Sequence, residues 1–166
     1  MATYYFDESD AGFTDPDAQW TTEVGAFDGS LSTNAFTAGA GTHYLKAEGT
    51  NAPASGDTII MVEARLYGYA EDGGGPEDIN ASIYTDGEAE LLGTASNVNT
   101  TYTWTPYTEL STPTGGWTWP VLQALEVKLF TGMNSAIGAA GAIYEVQIRV
   151  NGADPPGGFY LTQGYQ

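Results

Sequence analysis

Apolar and polar residues alternate with a period of two along much of the chain, which is the pattern of half-buried β-strands. In residues 58–69 the apolar positions are expected to face a core: Ile60, Val62, Ala64 and Leu66. The positions between them are expected to face solvent: Glu63, Arg65 and Tyr67. Residues 142–150 repeat the pattern, with Tyr144, Val146, Ile148 and Val150 set against Glu145, Gln147 and Arg149.

Shorter strands are predicted where aromatic or β-branched residues run between turn-forming residues. They cover residues 3–6, 40–47, 80–85, 89–95, 100–108 and 127–130. The Asp86-Gly87 pair is typical of a hairpin turn between the third and fourth of them. Residues 71–78 contain three glycines, a proline and four carboxylates. This segment predicts a loop, because it cannot hold a strand ladder.

A single short helix is predicted near residues 118–125. Thr118 can cap it and Pro120 fits its first turn. The apolar stripe of the helix consists of Val121, Leu122 and Leu125. Many short strands with one helix predict an all-β fold, a two-sheet antiparallel β-sandwich of jelly-roll type.

The sequence predicts one sandwich domain over residues 1–150, followed by a different kind of segment in residues 151–166. That segment begins with a Pro/Gly hinge and ends in an aromatic tail. The tail has two interpretations: it folds back as a last strand, or it is an arm that packs on a neighbouring subunit.

The charge of the chain limits the partners that it can have. Its 166 residues include 21 acidic and 4 basic side chains, for a net charge of −17. Four cations cannot neutralise a row of phosphates, so nucleic acid and anionic membranes are excluded as partners. No basic and apolar leader is present at the start and no apolar run approaches 18 residues, so we expect a protein made without a signal peptide. The chain has no Cys, so neither thiolate metal sites nor disulfides are available.

Several segments together resemble the jelly-roll domains of tailed-phage virion surface proteins. The strongest is PTGGWTWPVLQALEVKL at residues 113–129. The others are TIIMVEARLY at 58–67, SIYTDG at 82–87 and AIYEVQIRV at 142–150. The resemblance implies a non-enzymatic virion structural protein on the capsid exterior, a capsid decoration or head-fibre type of protein that docks on the major capsid protein after synthesis in the host cytoplasm.

Symmetry and surface chemistry extend this hypothesis. Decoration proteins gather at symmetry axes, so copies of this chain are expected to form a homo-oligomer, with a trimer as the first expectation. The predicted docking residues are aromatic or apolar and lie near the two ends: Tyr4, Tyr5, Phe6, Phe159, Tyr160 and Leu161.

Two other functions fit the same fold. The first alternative is a carbohydrate-binding adhesin module of a phage fibre or a cell surface, with aromatic rings that stack on sugars. Its candidate surface, which would serve equally for a protein partner, is Tyr102, Trp104, Tyr107, Trp117 and Trp119. The second alternative is a subunit of an extracellular filament or surface layer.

Catalysis and metal binding have little support in the sequence. His43 is the only imidazole, and neither a nucleophile elbow nor an oxyanion motif accompanies it, so no enzymatic activity and no required cofactor are predicted. Calcium is the ion that best suits acidic loops, and its candidate ligands are Asp15, Asp17, Asp72, Glu77 and Asp78. Solvated loop charge is the alternative interpretation of these carboxylates.

Overall fold

A computed structural model describes residues 1–6, 13–15, 20–27, 30–38, 41–71, 78–97, 101–133 and 140–152. The strands in chain order are β1 Ala2–Tyr5, β2 Phe13–Thr14, β3 Trp20–Thr21, β4 Ala35–Ala38, β5 Gly41–Glu48, β6 Ile59–Glu71, β7 Asp78–Tyr84, β8 Leu91–Asn97, β9 Thr103–Trp104, β10 Thr108–Glu109, β11 Glu126–Met133 and β12 Ala140–Gly152. Helix α1 is Trp119–Gln123, and two 3-10 turns cover Glu23–Ala26 and Asp86–Glu88. None of the helices in these ranges is long and apolar enough to cross a membrane.

The strands form two antiparallel sheets. The seven-stranded sheet is built on β6 and β12, which pair along most of their length. The other edge of each strand is paired with two short strands that follow one another along it. These are β4 and β1 on β12, and β9 and β10 on β6. The five-stranded sheet has the order β2-β5-β11-β7-β8. The fold is therefore the predicted jelly-roll β-sandwich.

The core lies between the inner faces of the two sheets. On the seven-stranded sheet, β6 and β12 contribute paired inward residues, for example Leu66 opposite Val146 and Ala64 opposite Ile148. On the other sheet, the inward row includes Leu45 and Leu129, which are fully buried. Each buried aliphatic side chain of this size stabilises the fold by about 1.5–3 kcal/mol, so the core holds the sheets together without disulfides.

The hairpin and the helix lie where the sequence places them. Strands β7 and β8 pair across the Asp86–Glu88 turn. The Thr118 side chain accepts a hydrogen bond from the Val121 backbone N–H at 3.3 Å, which caps helix α1. Leu122 and Leu125 are buried beneath the helix, as its apolar stripe predicts.

The expected core position of Ile60 is wrong. Its side chain is 64% exposed, whereas the neighbouring Ile59 packs against the core. The cause is a register shift opposite this end of β6, between Asn151 and Gly152 of β12. The alternation of β6 therefore begins at Val62 rather than at Ile60.

The expected side of Tyr144 is also wrong. The register between β6 and β12 slips by one residue between Ile143 and Glu145, so Tyr144 occupies a bulge. Ile143 takes the core position, and Tyr144 lies half-buried on the outer face of the sheet. Glu145 pairs with Tyr67 in register, on the predicted side. It is nevertheless fully buried, and its Oε1 accepts a hydrogen bond from the Val146 N–H at 3.0 Å.

The predicted strand at 100–108 is two short strands, β9 and β10. Pro106 lies between them, and a proline has no N–H to donate to the ladder. The pairing of β3 with β4 has no counterpart in the sequence prediction. The aromatic tail lies outside the described residues, so its two interpretations remain predictions.

Candidate functional site

The outer face of the five-stranded sheet carries side chains in rows that cross four strands. One row runs from Tyr44 of β5 to Phe130 of β11, Asn80 of β7 and Ser96 of β8. The next row runs through Lys46, Lys128, Ser82 and Thr94. The strands alternate their inward and outward residues in phase, which brings polar and aromatic groups from distant parts of the chain onto one surface.

These rows line a groove of about 500 Å³. Its residues, hereafter the sheet groove, are Tyr44, Asn80, Ser82, Tyr84, Thr94, Ser96, Lys128 and Phe130. The volume is within the range of roughly 300–1,000 Å³ that is typical of ligand sites. The groove is open to solvent along the sheet, because most of its side chains are only half-buried.

The sheet groove has an aromatic end and a hydroxyl-rich end. The rings of Tyr44 and Phe130 lie 5.4 Å apart with their planes at 49°. Ser82 and Thr94 are joined by a 2.9 Å hydrogen bond between their hydroxyls. Each hydroxyl can donate one hydrogen bond and accept two, so this pair keeps further hydrogen-bonding capacity for a ligand.

Lys128 supplies the positive charge of the groove. Its Nζ lies 4.9 Å from the centroid of the Tyr44 ring and 3.6 Å from a carboxylate oxygen of Glu88. The ring and the carboxylate together hold the ammonium group between the aromatic end and the Asp86–Glu88 turn.

A cluster of charges lies beside the groove and fixes this turn. Lys46 Nζ lies 2.9 Å from Glu126, 3.0 Å from Glu48 and 3.4 Å from Glu88. Burial lowers the pKa of Lys46, but its hydrogen bonds to Glu126 and Glu48 outweigh burial and leave the pKa above its ordinary value. Glu126 also accepts hydrogen bonds from the backbone N–H groups of Gly87 and Glu88. Lys46 therefore remains a cation and neutralises a buried carboxylate.

The opposite sheet brings three of the predicted sugar-binding residues together. Its outer surface, hereafter the aromatic face, consists of Tyr67, Tyr69, Tyr102, Trp104, Tyr107 and Tyr144. Tyr67 contacts Trp104 and Tyr144, with ring centroids 5.2 and 5.7 Å apart. Tyr102 contacts Tyr69 at 4.4 Å and Tyr144 at 5.3 Å. Of the six rings, Tyr102 is the most accessible, at 52% exposed.

The phenol of Tyr144 is perturbed within this face. Burial, followed by a hydrogen bond with Tyr102, raises the pKa of Tyr144 to about 12. The Tyr144 phenol is therefore neutral at physiological pH. The two guanidinium groups of the chain are placed against other rings of this face.

The other two predicted sugar-binding residues lie elsewhere. Trp119 donates its Nε1–H to the Asp57 carbonyl at 2.9 Å and contacts Tyr4 edge-on at 6.0 Å. Trp117 and Trp119 both pack against the core. The five predicted aromatic residues therefore do not form one surface, because α1 and the β9–β10 segment lie in different parts of the fold.

The N-terminal docking residues are placed in three different environments. Phe6 is fully buried in the core of its own chain, which leaves it unavailable to a neighbour in this fold. Tyr4 packs partly on the core. Tyr5 is half-buried, and its backbone N–H donates to the Asn51 side chain at 2.8 Å. Phe159, Tyr160 and Leu161 lie outside the described residues.

The predicted calcium ligands are described only in part. Asp15 Oδ2 accepts a hydrogen bond from the Trp20 backbone N–H at 3.0 Å, which is a structural role. Asp78 begins β7. Asp17, Asp72 and Glu77 lie outside the described residues. No group of three metal-ligating side chains is present in the described ranges. His43 lies in β5, where its backbone faces Thr131 of β11.

Sequence reasoning missed the residues that line the groove. The signal was present as a period-two series of polar and aromatic residues, such as Asn80, Ser82 and Tyr84 in β7. What alternation within one strand does not show is which strands are neighbours and in what register. Tyr44 and Phe130 are far apart in sequence and meet only because β5 pairs with β11.

Comparison of the sequence with known protein families gives no match, and comparison with curated proteins gives none either. Comparison of the fold with solved structures gives matches that include carbohydrate-binding modules. One is a CBM36 domain of a multidomain xylanase from the hindgut metagenome of Trinervitermes trinervoides, 10% identical, covering 92% of this chain and 100% of that chain with a TM-score of 0.47.

Two more solved structures are similar in the same way. The C-terminal CBM6 of a laminarinase from Zobellia galactanivorans is 10% identical, and the match covers 89% of this chain and 98% of that chain with a TM-score of 0.46. A CBM61 module in complex with β-1,4-galactotriose is 7% identical, and the match covers 84% of this chain and 87% of that chain with a TM-score of 0.47.

Proposed function

We propose that this chain is a non-catalytic glycan-binding module that holds a neutral oligosaccharide in the sheet groove. The observation that carries the proposal is the composition of the groove, which sets aromatic rings beside hydroxyl and amide groups on a rigid sheet. This is the first alternative function that the sequence suggests, at a different set of residues.

The chemistry of a sugar matches the two kinds of group in the groove. The C–H face of a pyranose is apolar and packs on the rings of Tyr44 and Phe130. Its hydroxyls both donate and accept, and they meet their counterparts in Asn80, Ser82 and Ser96. Because the side chains project from paired strands, they are positioned before the ligand arrives, and less ordering entropy is lost on binding.

The net charge favours a neutral ligand. A charge of −17 repels a polyanionic glycan at long range. Within the groove, Lys128 is partly neutralised by Glu88, so it does not offset this repulsion. An uncharged oligosaccharide avoids the repulsion and uses the hydrogen-bonding groups.

Binding to an array of neutral oligosaccharides, followed by calorimetry of the best ligand, tests the proposal. Substituting Tyr44→Ala removes the aromatic end and is expected to weaken binding at least tenfold, or ~1.4 kcal/mol. Tyr102→Ala on the opposite sheet is the matched control, and it should leave the affinity unchanged. Equal losses in both variants, or an array without any bound neutral glycan, would contradict the proposal.

The finer hypothesis of a capsid decoration protein rests on the resemblance of residues 113–129 to phage surface proteins. A glycan-binding module on a virion exterior would satisfy both hypotheses. The measurement is the solution mass by light scattering, followed by pelleting with undecorated capsids. A trimer that pellets at a fixed ratio supports the decoration hypothesis, whereas a monomer that stays in the supernatant contradicts it.

A further inference from the structure

Both arginines of the chain lie against one tyrosine ring. The guanidinium carbon of Arg149 lies 3.7 Å from the centroid of Tyr107, and that of Arg65 lies 4.4 Å from the same centroid. Arg65 also lies 3.8 Å from the centroid of Trp104. In a chain with only four basic residues, this is a local concentration of positive charge on the aromatic face.

Arg65 differs from the other three basic residues in its partners. Lys46, Lys128 and Arg149 each lie within 4.0 Å of at least one carboxylate. Within the described part of the chain, Arg65 has no carboxylate at that distance. Arg65 is therefore the one described basic residue without a carboxylate partner, in a protein with 21 acidic side chains.

A neutral partner holds the Arg65 side chain in place. Its Nε–H and one Nη2–H both donate to Gln147 Oε1, at 3.0 and 2.7 Å. A guanidinium group has five N–H donors, so three of them have no partner among the described residues. The rings of Trp104 and Tyr107 restrict the remaining motion of the group, so these donors are oriented before any ligand binds.

Glu63 and Glu109 lie in the cross-strand row of Arg149, and Glu145 lies in that of Tyr67. Glu63 Oε2 accepts from Arg149 Nε at 2.7 Å and also from the Asn151 amide at 3.2 Å. Glu109 of β10 lies opposite Glu63 in register, on the far side of β6 from Arg149. Arg149 is therefore neutralised within the protein, while the charge of Arg65 is left for an external partner.

We propose that Arg65, together with Trp104 and Tyr107, binds the carboxylate of an acidic saccharide. The planar fork of a guanidinium group matches a carboxylate, which can accept two parallel hydrogen bonds. The adjoining phenols, with Tyr102 the most exposed, offer a surface on which the sugar ring can pack. The net charge of −17 selects against polyanions, so the ligand carries a single carboxylate, as a glycan with one terminal uronic acid does.

This site is separate from the sheet groove. Arg65 lies on the seven-stranded sheet and the groove on the five-stranded sheet, with the core between their inward faces. The two proposals therefore succeed or fail independently. Loss of neutral-glycan binding in Tyr44→Ala leaves the acidic site intact, and loss of the acidic site leaves the groove intact.

The test uses ligands that differ only at the carboxylate. The probe is a disaccharide that ends in glucuronic acid, and the comparison is its methyl ester, which has the same ring without the charge. Calorimetry on the wild-type protein at low salt is expected to show at least tenfold tighter binding of the acid. Equal affinity for acid and ester overturns the proposal, and this comparison needs no variant to fold.

Two variants that change the net charge by the same amount show whether Arg65 causes the preference for the acid over its methyl ester. Arg65→Gln is expected to abolish the preference for the acid, whereas Ser55→Asp, at an exposed residue outside both sites, should preserve it. If both variants lose it equally, the preference comes from net charge and the site is refuted. Sodium acetate and inorganic phosphate serve as competitors at the same ionic strength. If acetate competes as effectively as the disaccharide, the sugar ring makes no contribution to binding.

Discussion

At the scale of single residues, the most consequential interaction is the one between Lys46 and Glu126. The Glu126 side chain is only 4% exposed, and its carboxylate lies 2.9 Å from Lys46 Nζ. Lys46 offsets that charge, and two backbone N–H groups of the Asp86–Glu88 turn bond the same carboxylate. One buried glutamate therefore links the hairpin turn to the central strand of the five-stranded sheet.

Substituting Lys46→Met should destabilise the protein by about 3 kcal/mol, because it leaves a buried carboxylate without its cation. Lys128→Met is the matched control, since that ion pair is longer and more exposed and is worth about 0.5 kcal/mol. Urea denaturation of both variants at pH 7 measures the difference. Equal losses in the two variants would mean that burial of Glu126 is not what makes Lys46 important.

At the scale of elements, the bulge in β12 depends on a glycine in the neighbouring strand of the same sheet. Gly68 of β6 lies opposite Ile143, immediately before the register slips. A Cβ at this position would collide with the Ala142 carbonyl oxygen and would lie 2.7 Å from the Ile79 side chain. The close approach of two backbones that gives Tyr144 its outward position therefore needs a residue without a side chain.

Gly68→Ala is expected to lower the free energy of unfolding by about 3 kcal/mol, since rigid backbone must shift to accept the methyl group. Gly93→Ala is a control within a strand of the other sheet. Its Cβ would meet the end of the Leu110 side chain at 2.8 Å, which can move, so its cost should stay below about 1 kcal/mol. Thermal and urea unfolding of the two variants measure the difference. A Gly68→Ala variant as stable as the wild-type protein would contradict the prediction and show that the bulge can relax.

The elements that could be predicted are those defined by their own sequence. The alternation of β6 from Val62 and of β12 from Glu145, the Asp86-Gly87 turn and the Thr118 cap are local signals, and the structure confirms them. The local pattern at 100–108 predicts one strand, whereas the division into the two-residue strands β9 and β10 follows from how they pair with β6. The sheet groove could not be predicted for the same reason. The register of the strands that line it is set by pairing between distant segments of the chain.

At the scale of the whole molecule, the surface is dominated by repulsion between like charges. The four basic residues are all used in described contacts, three in ion pairs and Arg65 against aromatic rings. The remaining negative charge is uncompensated within the chain, which has a net charge of −17. Self-repulsion of this size destabilises the compact state, and dissolved salt screens it.

Raising NaCl from 0.01 to 0.3 M is therefore expected to raise Tm by about 4 °C, or ~1 kcal/mol. Calorimetric scans in tetramethylammonium chloride should give the same increase, because screening depends on ionic strength alone. Calcium chloride at matched ionic strength tests the predicted calcium ligands as well. A much larger increase with calcium would indicate a specific cation site, and a decrease with all salts would contradict the repulsion argument.

The central pair of strands also sets the timing of folding. Glu63 and Arg149, which meet across β6 and β12, are separated by 86 positions, and Ala2 of β1 pairs with Val150 of β12. Closing such long loops precedes any gain from pairing, so folding should be slow. During synthesis, β1 and the edge of β6 that pairs with β12 leave the ribosome well before β12 and stay unpaired until it emerges. Of the 21 acidic residues, 17 lie in the first 90 positions. Their mutual repulsion therefore also protects the nascent chain against misassociation until residue 150 emerges.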